Sequence, residues 1–251
     1  TGNQSYNGAM TLLNDAALTS TGTSSVITLG SIANDSSAAP RALTINASGA
    51  SSSAVIGGAI GDASVNGTGP LTSLSLSAGS IALDGATVAT SGTQSYTGAI
   101  ALGTNTSLTG SAISTAAGST LAGAGKTLTL NAWNNIYINS AITASGTNGK
   151  LALMYGQGTS AGGSSSYAVN AAVSLEAGSN FSTTLGSTGT TKNYTVITSL
   201  GSAGDESVST ATNSLQGLGY STRLNGNYVL GADIAASGTS TWNSSTGFSP
   251  I

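Results

Sequence analysis

Along most of the chain, aliphatic residues stand at i and i+2 with a small or polar residue between them. The pattern recurs in Ser25–Leu29, Ala42–Asn46, Leu74–Leu76, Ile81–Leu83, Thr127–Asn131 and Ile136–Ile138. It returns in Leu151–Leu153, Val173–Leu175, Tyr194–Ile197 and Tyr228–Leu230. A period of two sends successive side chains to opposite faces of a strand, so each segment predicts a short strand with one buried face. Turn residues punctuate the segments, as at Asp84-Gly85, Asn66-Gly67, Asn148-Gly149 and Asn225-Gly226. No long stretch carries the i, i+3, i+4, i+7 spacing of an amphipathic helix. The expected class is all-β.

The chain also repeats itself. Gln94-Ser95-Tyr96-Thr97-Gly98-Ala99-Ile100-Ala101-Leu102 restates Gln4-Ser5-Tyr6-Asn7-Gly8-Ala9-Met10-Thr11-Leu12, 90 residues earlier, and Leu108-Thr109 matches Leu18-Thr19 at the same offset. A unit recurring in tandem predicts stacked supersecondary modules that bury their apolar faces against one another. A sandwich or barrel would use Asn-Gly and Asp-Gly as hairpin turns. A parallel β-helix would use them as corners. Very short strands, an interior of Leu, Ile, Val and Ala, and the tandem repeat favour the parallel β-helix, a solenoid. Four rungs of about 22 residues would account for the repeat, giving about 12 rungs and a rod on the order of 55 Å long. Asn, Ser and Thr at equivalent corners would then bond from rung to rung. Residues 1–190 read as the regular shaft and 191–251 as a variant, loop-bearing continuation of the same solenoid.

Composition narrows the function. Hydrophobic residues make up 39% of the 251, yet only 5% are charged, against about 25% in an ordinary soluble domain. Stacked like side chains would set identical charges against one another, which accounts for their scarcity. Mean hydropathy is +0.18, so the chain can bury enough apolar surface to fold despite its Gly and Ser. The formal charge is −3, and the five basic residues, Arg41, Lys126, Lys150, Lys192 and Arg223, are scattered singly. Nothing here would neutralise a phosphate backbone, and no apolar run reaches the ~20 residues of a spanning helix. Nucleic acid and membrane insertion are therefore not expected. The chain opens at Thr1 with no secretory leader and closes on Phe248-Ser249-Pro250-Ile251 as if in mid-motif, which reads as an excerpt of something longer.

Some segments resemble the repeat region of filamentous-haemagglutinin-like adhesins, the exoproteins of bacterial two-partner secretion. Leu128-Thr129-Leu130-Asn131-Ala132-Trp133-Asn134-Asn135-Ile136-Tyr137-Ile138-Asn139 and Ala141-Ile142-Thr143-Ala144 are similar to the family's Leu-Thr-Leu-x-Ala-x-x-x-Ile-x-Ile pattern. Tyr194–Gly201, Leu215-Gln216-Gly217 and Asn225–Ile234 also resemble segments of the family. The resemblance implies a right-handed parallel β-helix, secreted and displayed on the bacterial cell surface. Its implied work is adhesion or attachment to cells or matrix, with self-association into fibres and a host-cell, matrix or glycan receptor as partners. The Asn-Pro motifs of the family's secretion domain are absent, the only prolines being Pro40, Pro70 and Pro250. That fits a shaft segment, not an export signal.

Chemistry for catalysis is thin. There is no His and no Cys, which removes the commonest metal ligands, general bases and thiol nucleophiles. No cofactor, metal or catalytic residue is expected. The acids Asp15, Asp35, Asp62, Asp84, Glu176, Asp205, Glu206 and Asp233 lie far apart or in turns. Only Asp205-Glu206 are adjacent, and they read as an exposed acidic loop. The competing reading is a polysaccharide-binding or polysaccharide-degrading β-helix protein, which would need paired carboxylates if it cleaved glycosides. Gly123-Ala124-Gly125-Lys126-Thr127 lacks the first glycine and the following helix of a phosphate loop. Tyr6 and Tyr96, at matching places in the repeat, are candidate surface contacts together with Trp133 and Tyr137. Such tyrosines would either stack on sugars or cover an apolar seam with the hydroxyl in water.

Overall fold

The computed structural model describes residues 2–35, 38–61, 69–115, 120–144, 146 and 149–249. Asp62, the Asn66-Gly67 turn signal and Asn148 lie outside the described residues. Strands dominate, and every segment marked by alternation falls within one, save that Ser25 lies just before its strand. Almost all pairing is parallel.

Three ladders carry the structure. The first stacks Gln4–Tyr6, Val26–Leu29, Ser53–Ile56, the end of Ser73–Leu83, the end of Thr93–Leu102, Thr120–Ala122, Ala141–Ala144 and Val173–Leu175. The second stacks Ala16–Ser20, Ala42–Ala47, the starts of those two long strands, Ala112–Thr115, Ile136–Ile138 and Tyr167–Val169. The third runs from Met10–Leu12 through Ile32–Asn34, Ile60, Thr87–Ala89, Thr106–Gly110, Thr127–Ala132 and Lys150–Tyr155 to Gly178–Leu185. The chain visits the first, third and second ladders in that order, then returns to the first.

Side chains alternate as the sequence predicts. Ile27, Ala54, Ile81, Ile100 and Ile142 form one buried column of the first ladder, while Thr28, Val55, Ala82, Ala101 and Thr143 point outward. Ile32, Ile60, Val88, Leu108, Leu130 and Leu153 form the matching column of the third ladder. Each of these is at most 2% exposed, a burial that contributes roughly 1.5–3 kcal/mol for each full aliphatic side chain.

The corner between the first and third ladders requires glycine. A Cβ on Gly85 would run into the carbonyl of Gly58 one level below. One on Gly58 would meet Ser31 N at 2.5 Å, and one on Gly30 would meet the carbonyls of Asn7 and Gly8 at 2.6 Å. The backbone of one level there rests directly on the next. Gly123–Thr127, the faint phosphate-loop likeness, is another turn at this corner, closed by Lys126 N–H donating to Gly123 O at 2.9 Å.

Returns are uneven. Ile81 to Ile100 takes 19 residues, whereas Ile142 to Val173 takes 31 because the Gly156–Ser166 turns intervene. The first ladder has eight levels among the described residues, fewer than the twelve or so expected. The returns from Gln4 to Val173 average close to the expected 22 residues, and the shortfall arises because the strands after Gly178–Leu185 leave the parallel course. The repeat is affected as well: Gln4–Tyr6 lies in the first ladder but Gln94–Tyr96 in the second. Ninety residues thus make three returns and two further faces, and not four full rungs.

After Gly178–Leu185 the course changes. Lys192–Ile197 runs antiparallel to it, and Tyr228–Leu230 pairs parallel with Lys192–Ile197. These two strands stay attached to the third ladder but do not continue its sense.

Candidate functional site

Of the four candidate contact residues, Tyr96 is corrected by the structure. It is fully buried, and its hydroxyl donates to Gln94 Oε1 at 2.8 Å. Gln94 occupies an inward position that Leu74 and Ile113 hold on neighbouring levels. Its amide donates to Val88 O at 3.0 Å and Thr109 O at 2.7 Å. Burial pushes the Tyr96 phenol far above the ordinary tyrosine value. This pair is an internal brace.

Tyr6 makes the same brace in the open. Its hydroxyl donates to Gln4 Oε1 at 3.3 Å, and Gln4 Nε2 donates to Thr19 O at 2.8 Å. Among the described residues no level lies beneath Tyr6, which is 37% exposed. Trp133 and Tyr137 flank one corner and are 44% and 41% exposed. Tyr137 accepts from Asn135 Nδ2 at 3.1 Å. Both stand five levels above Tyr6, about 24 Å at strand spacing, so the structure does not gather the candidates into one site.

Most described acids brace the backbone or a corner. Asp15 Oδ1 accepts from Ala42 N at 2.9 Å, one level up. Asn3, Asn105 and Asn135 do the same for Val26, Thr127 and Ser166 at 2.8–2.9 Å. Asn170 donates to Asn139, which donates to Ser114, a side-chain ladder over successive levels at 2.8 and 3.1 Å. Asp35 holds Arg41 through a two-bond fork, both 3.0 Å. Asp84 sits at the corner with its carboxylate against Gly103 of the next level. Asp205 Oδ2 accepts from Ser202 N and Ser214 Oγ at 2.9 and 3.0 Å. Glu206 Oε1 accepts from Ser249 Oγ at 3.4 Å, while its Oε2 is buried without a partner. No group of three or more acidic side chains gathers among the described residues.

One concavity combines aromatic and polar groups. A cavity of about 310 Å³ is lined by Tyr155, Tyr167, Thr183, Leu185, Thr190, Lys192 and Tyr194. Thr183 and Leu185 share one face of their strand, as Lys192 and Tyr194 share one face of its antiparallel partner. Tyr155 and Tyr167 form the other wall, edge to face with ring centres 5.2 Å apart. Tyr194 packs on Phe181 at 5.2 Å, and its hydroxyl lies 3.4 Å from Thr183 Oγ1. Burial and then the neighbouring Tyr194 raise the pKa of both Tyr155 and Tyr167, so these phenols remain hydrogen-bond donors.

No family model, curated protein or solved structure matches this chain. The sequence carried a signal for the brace but none for the cavity. Gln-x-Tyr places two polar groups on one strand face, and its repetition marks a brace. The tyrosines of the cavity are scattered over 40 residues and meet only because the chain reverses at Gly186–Thr191.

Proposed function

We propose that this chain is a shaft segment of a secreted, surface-displayed bacterial adhesin or extracellular fibre of the filamentous-haemagglutinin-like kind. Its coils form a right-handed parallel β-helix, the hand that parallel crossovers almost always take. Its work is mechanical: a stiff, protease-resistant spacer that carries attachment to cells or matrix. The observation that supports this most directly is the fixed order of three parallel ladders, each return laid on the one before. At about 4.8 Å per level, eight levels extend some 34 Å. Ladders joined by corner braces resist pulling along the axis, because every level adds backbone hydrogen bonds to the next. Self-association into fibres is part of the proposal. A host-cell, matrix or glycan receptor completes it.

Immunogold labelling of the native cells with an antibody to this segment tests the reading. Gold along projections from the surface is expected. Label confined to the cell interior, in cells that express the protein, contradicts it.

A further inference from the structure

We propose that the groove between Tyr155 and Tyr167 on one wall and the Gly178–Leu185/Lys192–Ile197 pair on the other is a saccharide-binding site. Its preferred ligand is a pyranose that carries a carboxylate. The inference does not depend on how the rod is used.

At about 310 Å³ the groove is at the small end of ligand pockets, near 300–1,000 Å³, with room for a sugar ring. Its lining suits that chemistry. Sugar rings present C–H faces that pack on aromatic rings, and hydroxyls at the edge that both donate and accept. Here Tyr155, Tyr167 and Tyr194 supply the apolar surface and three phenol groups. Thr183 and Thr190 add two aliphatic hydroxyls. Such amphipathic side chains bind a ligand that is apolar on one side and wet on the other.

Charge selects the sugar. Lys192 is the only ionisable lining residue besides the tyrosines, and no carboxylate lies in the lining. In a chain of net charge −3 with five basic residues, a lysine in the groove lining favours an anionic ring. A free aliphatic acid would leave the tyrosine walls unfilled, and a neutral sugar would gain nothing from the ammonium.

The groove is closed on one side by the reversal at Gly186–Thr191, which lays Lys192 and Tyr194 beside Thr183 and Phe181 of the preceding strand.

The test is an NMR titration of the whole chain with tetragalacturonate and, separately, with the neutral cellotetraose. Saturable shifts of residues around Tyr155, Tyr167 and Tyr194 are expected with tetragalacturonate, and binding at least about tenfold weaker with cellotetraose. Lys192→Gln, at an exposed position that leaves the fold intact, weakens tetragalacturonate about tenfold, the loss of one charge-assisted hydrogen bond. It leaves cellotetraose unchanged. Tyr155→Ala, checked for an unchanged melting curve, weakens both. Absence of saturable binding overturns the proposal. So does equal or stronger binding of cellotetraose, or affinity that ignores both substitutions.

Discussion

Tyr96 and Gln94, two residues apart on one strand face, form a closed hydrogen-bonded pair inside the apolar core, with hydroxyl to Oε1 at 2.8 Å. Both amide hydrogens of Gln94 are used as well, on Val88 O and Thr109 O. The glutamine thereby ties its own strand to backbone on the adjoining third ladder. Tyr96→Phe strands a buried carbonyl oxygen and should cost about 1–3 kcal/mol in urea unfolding. Adding Gln94→Leu, which restores the aliphatic column of Leu74 and Ile113, should cost less than the two single changes together. Tyr6→Phe removes the exposed copy of the same bond and should change stability by no more than about 0.5 kcal/mol.

Stability should also fall at alkaline pH. The folded-state pKa of Tyr96 is raised by burial, so the unfolded chain loses this proton first. The stabilisation is full below the ordinary tyrosine value of about 10, and is lost as pH climbs toward the folded value. Each such group contributes a slope of about 1.4 kcal/mol per pH unit in that window. Tyr96→Phe should flatten the fall measured by urea titrations above pH ~10. An unchanged slope would place the phenol in water.

Corner glycines should be intolerant for a reason unrelated to flexibility. Gly85→Ala drives a methyl into the Gly58 carbonyl one level below and should cost about 1–3 kcal/mol, as overpacking does. Gly8→Ala meets nothing within 4 Å and should be close to neutral. Thermal melts of the two variants decide this.

The strands were legible because alternation is a direct imprint of a pleated, one-face-buried backbone, and each marked segment lies in one, save for Ser25. The corner role of Asp84-Gly85 was legible too, from residues that turn readily. The level count was not. Alternation does not show that the parallel course stops after Gly178–Leu185, and a loop such as Gly156–Ser166 leaves no periodic trace. Tyr96 was misread because its sequence match to Tyr6 says nothing about which copy has a level beneath it. The reversal that pairs Lys192–Ile197 antiparallel with Gly178–Leu185 gives alternation of either sense, so the tyrosine groove could not be assembled from sequence.

Arg223 should hold the loop beyond the ladders. Its guanidinium donates to the carbonyls of Val208, Ser209, Ala211 and Gly217 at 2.5–3.2 Å and lies 5.0 Å from the Tyr220 ring centre. Lysine cannot reproduce that planar fork. Arg223→Lys should speed amide hydrogen exchange across residues 205–223 while the Ile81 and Leu130 levels stay protected. Uniformly faster exchange would show that the loop and the ladders open together.

Pulsed electron–electron distances between spin labels along the first ladder test the central claim most directly. The chain has no cysteine, so pairs placed at the outward positions Ser5, Ala101 and Ser174 report only themselves. Ser5 and Ala101 are four levels apart and Ser5 and Ser174 seven. The parallel stack predicts backbone separations near 19 and 34 Å, at ~4.8 Å per level. Equal distances for the two pairs, or a shorter one for Ser5 and Ser174, would contradict it.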